Sequence, residues 1–209
     1  MTKRTSLIQR KTKETSIRLA LNLDGSGKAK VKTGIAFLDH MLESLSKHGL
    51  FDLEVKAQGD LHVDSHHTNE DVGIALGEAF KKALGDKKSV RRFGDFRAPL
   101  DEALSGVRVS LDFSGRGSCH FHTSPKTRWI DHPSLKKSDV VKGYSFIDMK
   151  HFLESFSAHA GMTLHVDFVA GEQPHHVIEA TFKALAKALD AAVSYDLRVQ
   201  GVPSTKGKL

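Results

Sequence analysis

Residues 40–48 read HMLESLSKH and residues 151–159 read HFLESFSAH, so that six of nine positions are identical at a shift of 111 residues. A second pair lies downstream, where residues 66–70 read HHTNE and residues 175–179 read HHVIE, at a shift of 109 residues. Two matches in the same order and at nearly the same spacing indicate an internal duplication. We therefore predict two halves of one kind, fused into one unit.

Hydrophobic spacing predicts the same elements in each half, residues 1–95 and residues 96–209. A strand comes first, and an amphipathic helix, a second strand and a second helix that begins at the HHxxE motif follow it. The predicted strands are 15–22, 52–58, 106–113 and 162–169, and the predicted first helices are 35–47 and 147–158. This order favours two-layer α+β halves over a doubly wound sheet. Residues 123–142, which hold two prolines and many charges, are predicted to form an exposed loop.

The composition is ordinary for a globular protein except for its histidines. The 209 residues include 13 histidines and one cysteine, and the formal net charge is +6. No segment has the length of a membrane span or a signal peptide, so we expect a cytoplasmic protein without a membrane partner. The basic residues form no block with interleaved aromatics, which argues against nucleic acid and favours a small anionic substrate. Cys119 is expected to be structural, without a disulfide.

The paired histidines indicate metal ions. Helix residues four apart share a face and adjacent residues do not, so the first histidine of each HHxxE motif lies beside the glutamate while the second aims at a different ion. With one upstream histidine per motif, eight ligands give two ions three imidazoles and one carboxylate each, and leave open positions for catalysis. The predicted ligands are His40, His66, His67, Glu70, His151, His175, His176 and Glu179. This donor set suits Mn, Fe, Zn, Co or Ni without choosing among them.

The other histidines receive no firm role from the sequence. His48 and His159 end the two first helices, where a cation either complements the helix dipole or lies near the site. A surface or hydrogen-bonded position is the simplest interpretation of the isolated ones. These are His62, His120, His122, His132 and His165.

Five ordered stretches resemble a known family. They are RKTKET at 10–15, FLDHM at 37–41, DSHHTNEDVG at 64–73, RFGDFRAPLDEA at 92–103 and PSTKG at 203–207. They are similar to the monofunctional imidazoleglycerol-phosphate dehydratases. The resemblance implies an internally duplicated two-layer α/β sandwich, with halves like domain 2 of ribosomal protein S5, each a four-stranded sheet backed by two helices. It also implies a homo-oligomer of 24 subunits with active sites between subunits.

The resemblance also implies roles for single residues. One Mn²⁺ of each active site would bind His40, His67, His175 and Glu179, and the other would bind His66, Glu70, His151 and His176. The residues implied to contact substrate are Glu14, His40, His66, His67, Arg92, Arg116, His175, Lys183, Thr205, Lys206 and Gly207. Arginine suits bidentate recognition of phosphate. Glu14, Glu70 and Glu179 are rival candidates for proton transfer.

The implied reaction is that of a hydro-lyase in L-histidine biosynthesis, which converts D-erythro-imidazole-glycerol phosphate to imidazole acetol phosphate and water. The substrate imidazole, held as imidazolate by two ions, would expel the hydroxyl through a diazafulvene-like intermediate, and a carboxylate would take the carbon-bound proton. Two other hypotheses stay open. A dinuclear metallohydrolase would have ligands richer in aspartate, and a metal-storing oligomer would not need the arginines or the Lys-Gly tail.

Overall fold

The chain forms two sets of strands and helices in matching order. A computed structural model describes residues 3–103, 107–124, 141 and 143–209. The first half contains β1 (Thr5–Lys11), β2 (Thr15–Asn22), β3 (Ala29–Lys32), α1 (Ala36–Gly49), β4 (Asp52–Gly59) and α2 (His66–Leu84). The second half contains β5 (Phe93–Ala98), a 3-10 helix (Asp101–Ala103), β6 (Val107–Asp112), β7 (Ser118–Thr123), α3 (Phe146–Ala160), β8 (Thr163–Phe168) and α4 (Pro174–Val193). No helix in these residues has the length and apolar character needed to cross a bilayer.

Each half forms a four-stranded sheet of the same topology. The first sheet has the order β1-β2-β4-β3 and the second β5-β6-β8-β7. The last pair in each sheet is parallel, and the other neighbours are antiparallel. Two helices cover each sheet, α1 and α2 in the first half and α3 and α4 in the second. The predicted duplication and the two-layer α+β class are therefore confirmed.

The strands that the residue pattern missed are the four edge strands, β1, β3, β5 and β7. Edge strands tolerate charged residues on both faces, which weakens the alternation that reveals a strand. The central strands are found within a residue or so of their predicted bounds, because alternate residues such as Ile17, Leu19 and Leu21 are buried against the helices. Most of the predicted loop, 123–142, lies outside the described residues. The boundary predicted after residue 95 falls inside β5, and the division into domains stays a prediction.

Helices of opposite halves pack on one another, α1 on α4 and α2 on α3. The α2–α3 contact is closest at two glycines. A Cβ atom at Gly77 would lie 2.6 Å from the carbonyl oxygen of Phe156, and one at Gly73 would lie 2.8 Å from that of Phe152. The missing side chains let the two backbones touch, and this contact brings the N-terminal turn of α2 against α3.

The close contact predicts a stability defect. We expect Gly77→Ala to destabilise the fold by about 1–3 kcal/mol, because the added methyl meets backbone atoms that cannot rotate away. The gain in helix propensity of about 1 kcal/mol offsets only part of this cost. Thermal unfolding should show a lower Tm for Gly77→Ala than for Lys81→Ala, a change on the exposed face of the same helix. An unchanged or higher Tm for Gly77→Ala would contradict the packing described.

Candidate metal centre

Three predicted ligands meet where α1 packs on α4. His40 lies on α1, and His175 and Glu179 lie one turn apart at the start of α4. Glu179 Oε2 is 3.1 Å from His175 Nε2 and 3.5 Å from His40 Nε2. The Glu179 side chain is only 14% exposed, whereas both imidazoles are open to solvent. We call these three residues the first cluster.

The corresponding residues of the duplication meet where α2 packs on α3. His66 and Glu70 lie in the first turns of α2, and His151 lies on α3. Glu70 Oε2 is 3.4 Å from His66 Nε2, and the Nδ1 atoms of His66 and His151 are 3.2 Å apart. An open cleft of about 370 Å³ lies against this second cluster and is also lined by His159. Because α1 corresponds to α3 and α2 to α4, both clusters combine ligands from the two halves.

The second histidine of each motif points away from the cluster formed by the first, as the helix geometry predicts. His67 Nδ1 is 3.0 Å from Asp60 Oδ2 and 3.8 Å from Glu14 Oε2. His176 Nδ1 is 2.8 Å from Glu102 Oε2. In the described part of the chain, each cluster therefore has two imidazoles and one carboxylate, and its fourth predicted ligand is directed elsewhere.

Asp60 and Glu102 are functional residues that the sequence analysis missed. The hydrogen bond from His176 lowers the pKa of Glu102 to about 2, and the hydrogen bond to Asp60 raises the pKa of His67. A carboxylate that accepts a hydrogen bond from Nδ1 selects the tautomer whose Nε2 is free to bind a metal. Glu102 also accepts a hydrogen bond from the backbone N–H of Gln173, at the start of α4. Asp60 precedes His67 by seven residues, so proximity in sequence could have suggested it; Glu102 lies 74 residues from His176.

This arrangement predicts a defect in metal binding. We expect Glu102→Gln to weaken metal affinity about 10- to 100-fold, because an amide no longer fixes the orientation and tautomer of His176. Competition titration against a chelator measures the affinity. The control is Glu172→Gln, which neutralises an exposed glutamate near the same helix end. Equal affinities in the two variants would show that Glu102 does not position the imidazole.

The first cluster carries a carboxylate that stays ionised. Burial alone would raise the pKa of Glu179. The hydrogen bond and charge of Lys183, together with the hydrogen bond from His175, outweigh this effect, so that the pKa lies below its ordinary value. Lys183 Nζ is 2.9 Å from Glu179 Oε1. Burial, followed by the charge of Lys183, also lowers the pKa of His48. Glu179 is thus suited to bind a cation and poorly suited to donate a proton.

The donors present fit a divalent metal of intermediate softness. Both clusters offer imidazole and carboxylate, a set that suits manganese among other first-row ions. Cys119 lies apart on β7, and burial raises the pKa of its thiol to about 12. Cys119 is therefore not a ligand in either cluster.

The resemblance implies that Arg92, Arg116, Lys183, Thr205 and Lys206 bind the substrate phosphate, and all of these except Lys183, which contacts Glu179, form a basic group at or beside the C-terminal tail. Arg92 Nη1 donates to the carbonyl of Pro203 at 2.8 Å, and Arg92 Nε donates to Asp112 at 2.6 Å. A Cβ atom at Gly115 would lie 2.6 Å from the backbone of Leu209, so the turn that leads to Arg116 contacts the end of the chain. Thr205, Lys206 and Gly207 are exposed, as is the neighbouring Lys208.

This basic group lies far from the first cluster of the same chain. The backbone N–H of Arg92 donates to the carbonyl of Ala192, near the C-terminal end of α4, whereas His175 lies at the opposite end. A rise of about 1.5 Å per residue separates His175 and Ala192 by roughly 25 Å. Among the described arginines and lysines that were predicted to contact substrate, Lys183 alone contacts the first cluster. One small substrate cannot reach both groups within a single chain.

Comparisons with known proteins identify one family. A family model described as imidazoleglycerol-phosphate dehydratase matches residues 33–189. The protein of that name from Thermoanaerobacter pseudethanolicus is 52% identical, over 97% of this chain and 97% of the relative. The chloroplastic protein of that name from Pisum sativum is also 52% identical, over 97% of this chain and 68% of the relative.

Two solved structures share the fold. The imidazoleglycerol-phosphate dehydratase from Staphylococcus aureus has a TM-score of 0.75 at 30% identity, over 92% of this chain and 99% of the other. The structure of IGPD from Pyrococcus furiosus has a TM-score of 0.76 at 33% identity, over 97% and 100% of the two chains. The likeness therefore extends over both halves and includes both clusters.

Proposed function

Since the chain belongs to the imidazoleglycerol-phosphate dehydratase family, an enzyme family of hydro-lyases, we propose that it converts D-erythro-imidazole-glycerol phosphate to imidazole acetol phosphate and water. We assign this reaction to L-histidine biosynthesis in the cytoplasm, with two Mn²⁺ ions in each active site. The observation that carries the proposal is the pair of matching His-His-Glu clusters, each of which needs one more imidazole.

The proposed ligand sets follow from the clusters and the outward histidines. His40, His175 and Glu179 bind one ion together with a His67, and His66, Glu70 and His151 bind the other together with a His176. When bound, the two ions supply Lewis acidity to the ring nitrogens of the substrate imidazole. Asp60 and Glu102 keep the outward imidazoles oriented, and Lys183 adds positive charge beside Glu179.

The missing ligands come from a second copy of the chain. His66 belongs to the second cluster and its neighbour His67 points outward, so adjacent histidines of one chain serve two different ions. The same holds for His175 and His176. An active site therefore joins the first cluster and His176 of one chain to the second cluster and His67 of another. The two chains contribute different surfaces to this contact, so it is heterologous, and repeated contacts build a closed oligomer, which we propose has 24 subunits.

The substrate phosphate is bound by the basic group around the tail. Arg92, Arg116, Thr205, Lys206 and Gly207 supply its cations and hydrogen-bond donors. Because this group is roughly 25 Å from the first cluster of its own chain, it serves an active site whose first cluster belongs to another subunit. Metal binding and assembly are then linked, since each stabilises the other.

The aspartates beside the motifs disfavour a dinuclear hydrolase. Asp39 accepts hydrogen bonds from the backbone N–H and the hydroxyl of Thr33. Asp71 binds Arg10 and Thr15, and Asp64 accepts from the backbone N–H of His66. These carboxylates have structural partners and do not join either cluster. A metal-storage role leaves the basic group around Arg92 without a purpose.

An assay of the metal-loaded enzyme tests the proposed function. Purified protein, stripped with a chelator and reloaded with Mn²⁺, should turn over imidazoleglycerol phosphate to the ketone, and the stripped protein should not. Reloading with Mg²⁺, which prefers oxygen ligands, serves as the control. Release of inorganic phosphate without ketone would support the hydrolase instead, and bound metal without turnover would support storage.

A further inference from the structure

Three histidines meet on a surface that the proposed reaction does not use. His120 and His122 alternate along β7, so both face away from the helices, and His165 lies on the neighbouring strand β8. His120 is the register partner of His165 across this parallel pair. The face of the second sheet that bears them is opposite to the helices that hold the two clusters. We call these residues the sheet histidines.

The imidazoles of the sheet histidines are in contact. His122 Nε2 is 3.0 Å from His165 Nδ1, and the planes of the two rings are nearly parallel, at an angle of 4°. The His120 ring stacks on His165 with a centroid distance of 4.6 Å. Two imidazole nitrogens bound to one tetrahedral zinc ion are separated by about 3.4 Å. His165 contacts both other rings, and His120 and His122 are exposed, so solvent leaves room for their side chains to rotate toward a shared ion.

The sheet histidines also have an acidic neighbour. Asp167 is the register partner of His122 on the same face, which puts a carboxylate within the same patch.

The duplication does not explain this arrangement. The register positions of the first sheet that correspond to His120, His122 and His165 are Lys30, Lys32 and Glu54. Those residues cannot form a cluster of imidazoles. The sheet histidines are therefore a feature of the second half alone, unlike the two clusters, which occur in both halves.

We propose that His120, His122 and His165 form a third metal site, for a divalent ion that prefers imidazole, such as Zn²⁺. A site built from imidazoles alone, without a carboxylate ligand, suits Zn²⁺, Cu²⁺ and Ni²⁺. The ion would join the edge strand β7 to its neighbour β8 and stabilise this edge of the sheet. The proposal is independent of the dehydration reaction, because none of the three residues lies in either cluster.

Equilibrium dialysis of untagged, Mn²⁺-saturated protein against Zn²⁺, followed by metal analysis, tests the proposal. The His120→Ala/His122→Ala variant should bind one zinc ion fewer per chain than the unchanged protein. The control is Ser118→Ala, on the same face of β7, which should bind as many zinc ions as the unchanged protein. Zinc that displaces manganese from the clusters affects all three proteins alike, so the difference between them is the measurement.

A second measurement separates ligand loss from misfolding. With Mn²⁺ alone, the double variant should keep full dehydratase activity and the same assembly mass, because the substituted side chains are exposed. Dialysis in which the double variant and the unchanged protein bind equal zinc would overturn the proposal. A zinc ion lost equally in Ser118→Ala would overturn it too.

Discussion

Two variants that are each inactive are expected to regain activity when they are assembled together. His175→Ala removes a ligand of the first cluster, and His66→Ala removes a ligand of the second. Each active site is proposed to join the first cluster of one chain to the second cluster of another. A pure variant therefore has no intact site, whereas a random mixture of equal amounts has about a quarter of its sites intact. Expected activity is about a quarter of that of the unchanged enzyme.

The mixture is prepared by removing metal with a chelator, combining the chains and reloading Mn²⁺. The matched control combines His175→Ala with His40→Ala. Both changes lie in the first cluster, so no arrangement of these chains restores a site, and the control mixture should stay inactive. Recovery in the control, or none in the test mixture, would contradict an active site shared between two chains.

The shared site depends on the direction of one imidazole at each helix start. Were His67 to turn inward, it would have to leave Asp60, which holds its Nδ1 at 3.0 Å. The corresponding bond from His176 to Glu102 is 2.8 Å. This outward direction suits a ligand offered to a neighbouring chain, and each outward imidazole would gain a second anchor when an ion binds its Nε2.

Local geometry made part of this site predictable from the sequence. The spacing of four residues between His66 and Glu70 determines that they share a helix face, whatever the rest of the chain does. The divergence of His67 follows from the same geometry. The central strands were predictable because residues such as Leu19 and Val55 alternate with polar ones and are buried. These features need no knowledge of distant contacts.

Features that depend on distant packing were not predictable in this way. The partner of His176 is Glu102, which reaches α4 only because the 3-10 helix packs there. Arg92 is far from His175 because the strand β5 begins beside the C-terminal end of α4, and the sequence does not show at which end it begins. The sheet histidines meet because β7 pairs with β8, and β7 was an unrecognised edge strand.

The contacts of the three candidate glutamates favour Glu14 over Glu70 and Glu179 for proton transfer. Glu179 lies within 3.5 Å of two imidazoles and pairs with Lys183. Glu70 is 3.4 Å from His66. Both carboxylates are committed to the clusters, and an oxygen that binds a cation is a weaker base. Glu14 lies outside both clusters, is 54% exposed, and is 3.8 Å from the outward His67. It therefore reaches the proposed site without acting as a ligand in it.

We expect Glu14→Gln to lower kcat about 10²- to 10⁴-fold, the usual contribution of a general acid or base. Metal content should be unchanged, because Glu14 is not a ligand in the proposed site. Glu179→Gln should instead reduce the metal content.

The control for the turn between β1 and β2 is Lys13→Gln, which should keep its activity, since Lys13 is exposed and precedes Glu14 by one residue. Steady-state kinetics and metal analysis of the same preparations separate the two roles. Full activity in Glu14→Gln would exclude Glu14 as the proton-transfer group. A loss of activity that tracks a loss of metal would show that Glu14 acts as a metal ligand instead.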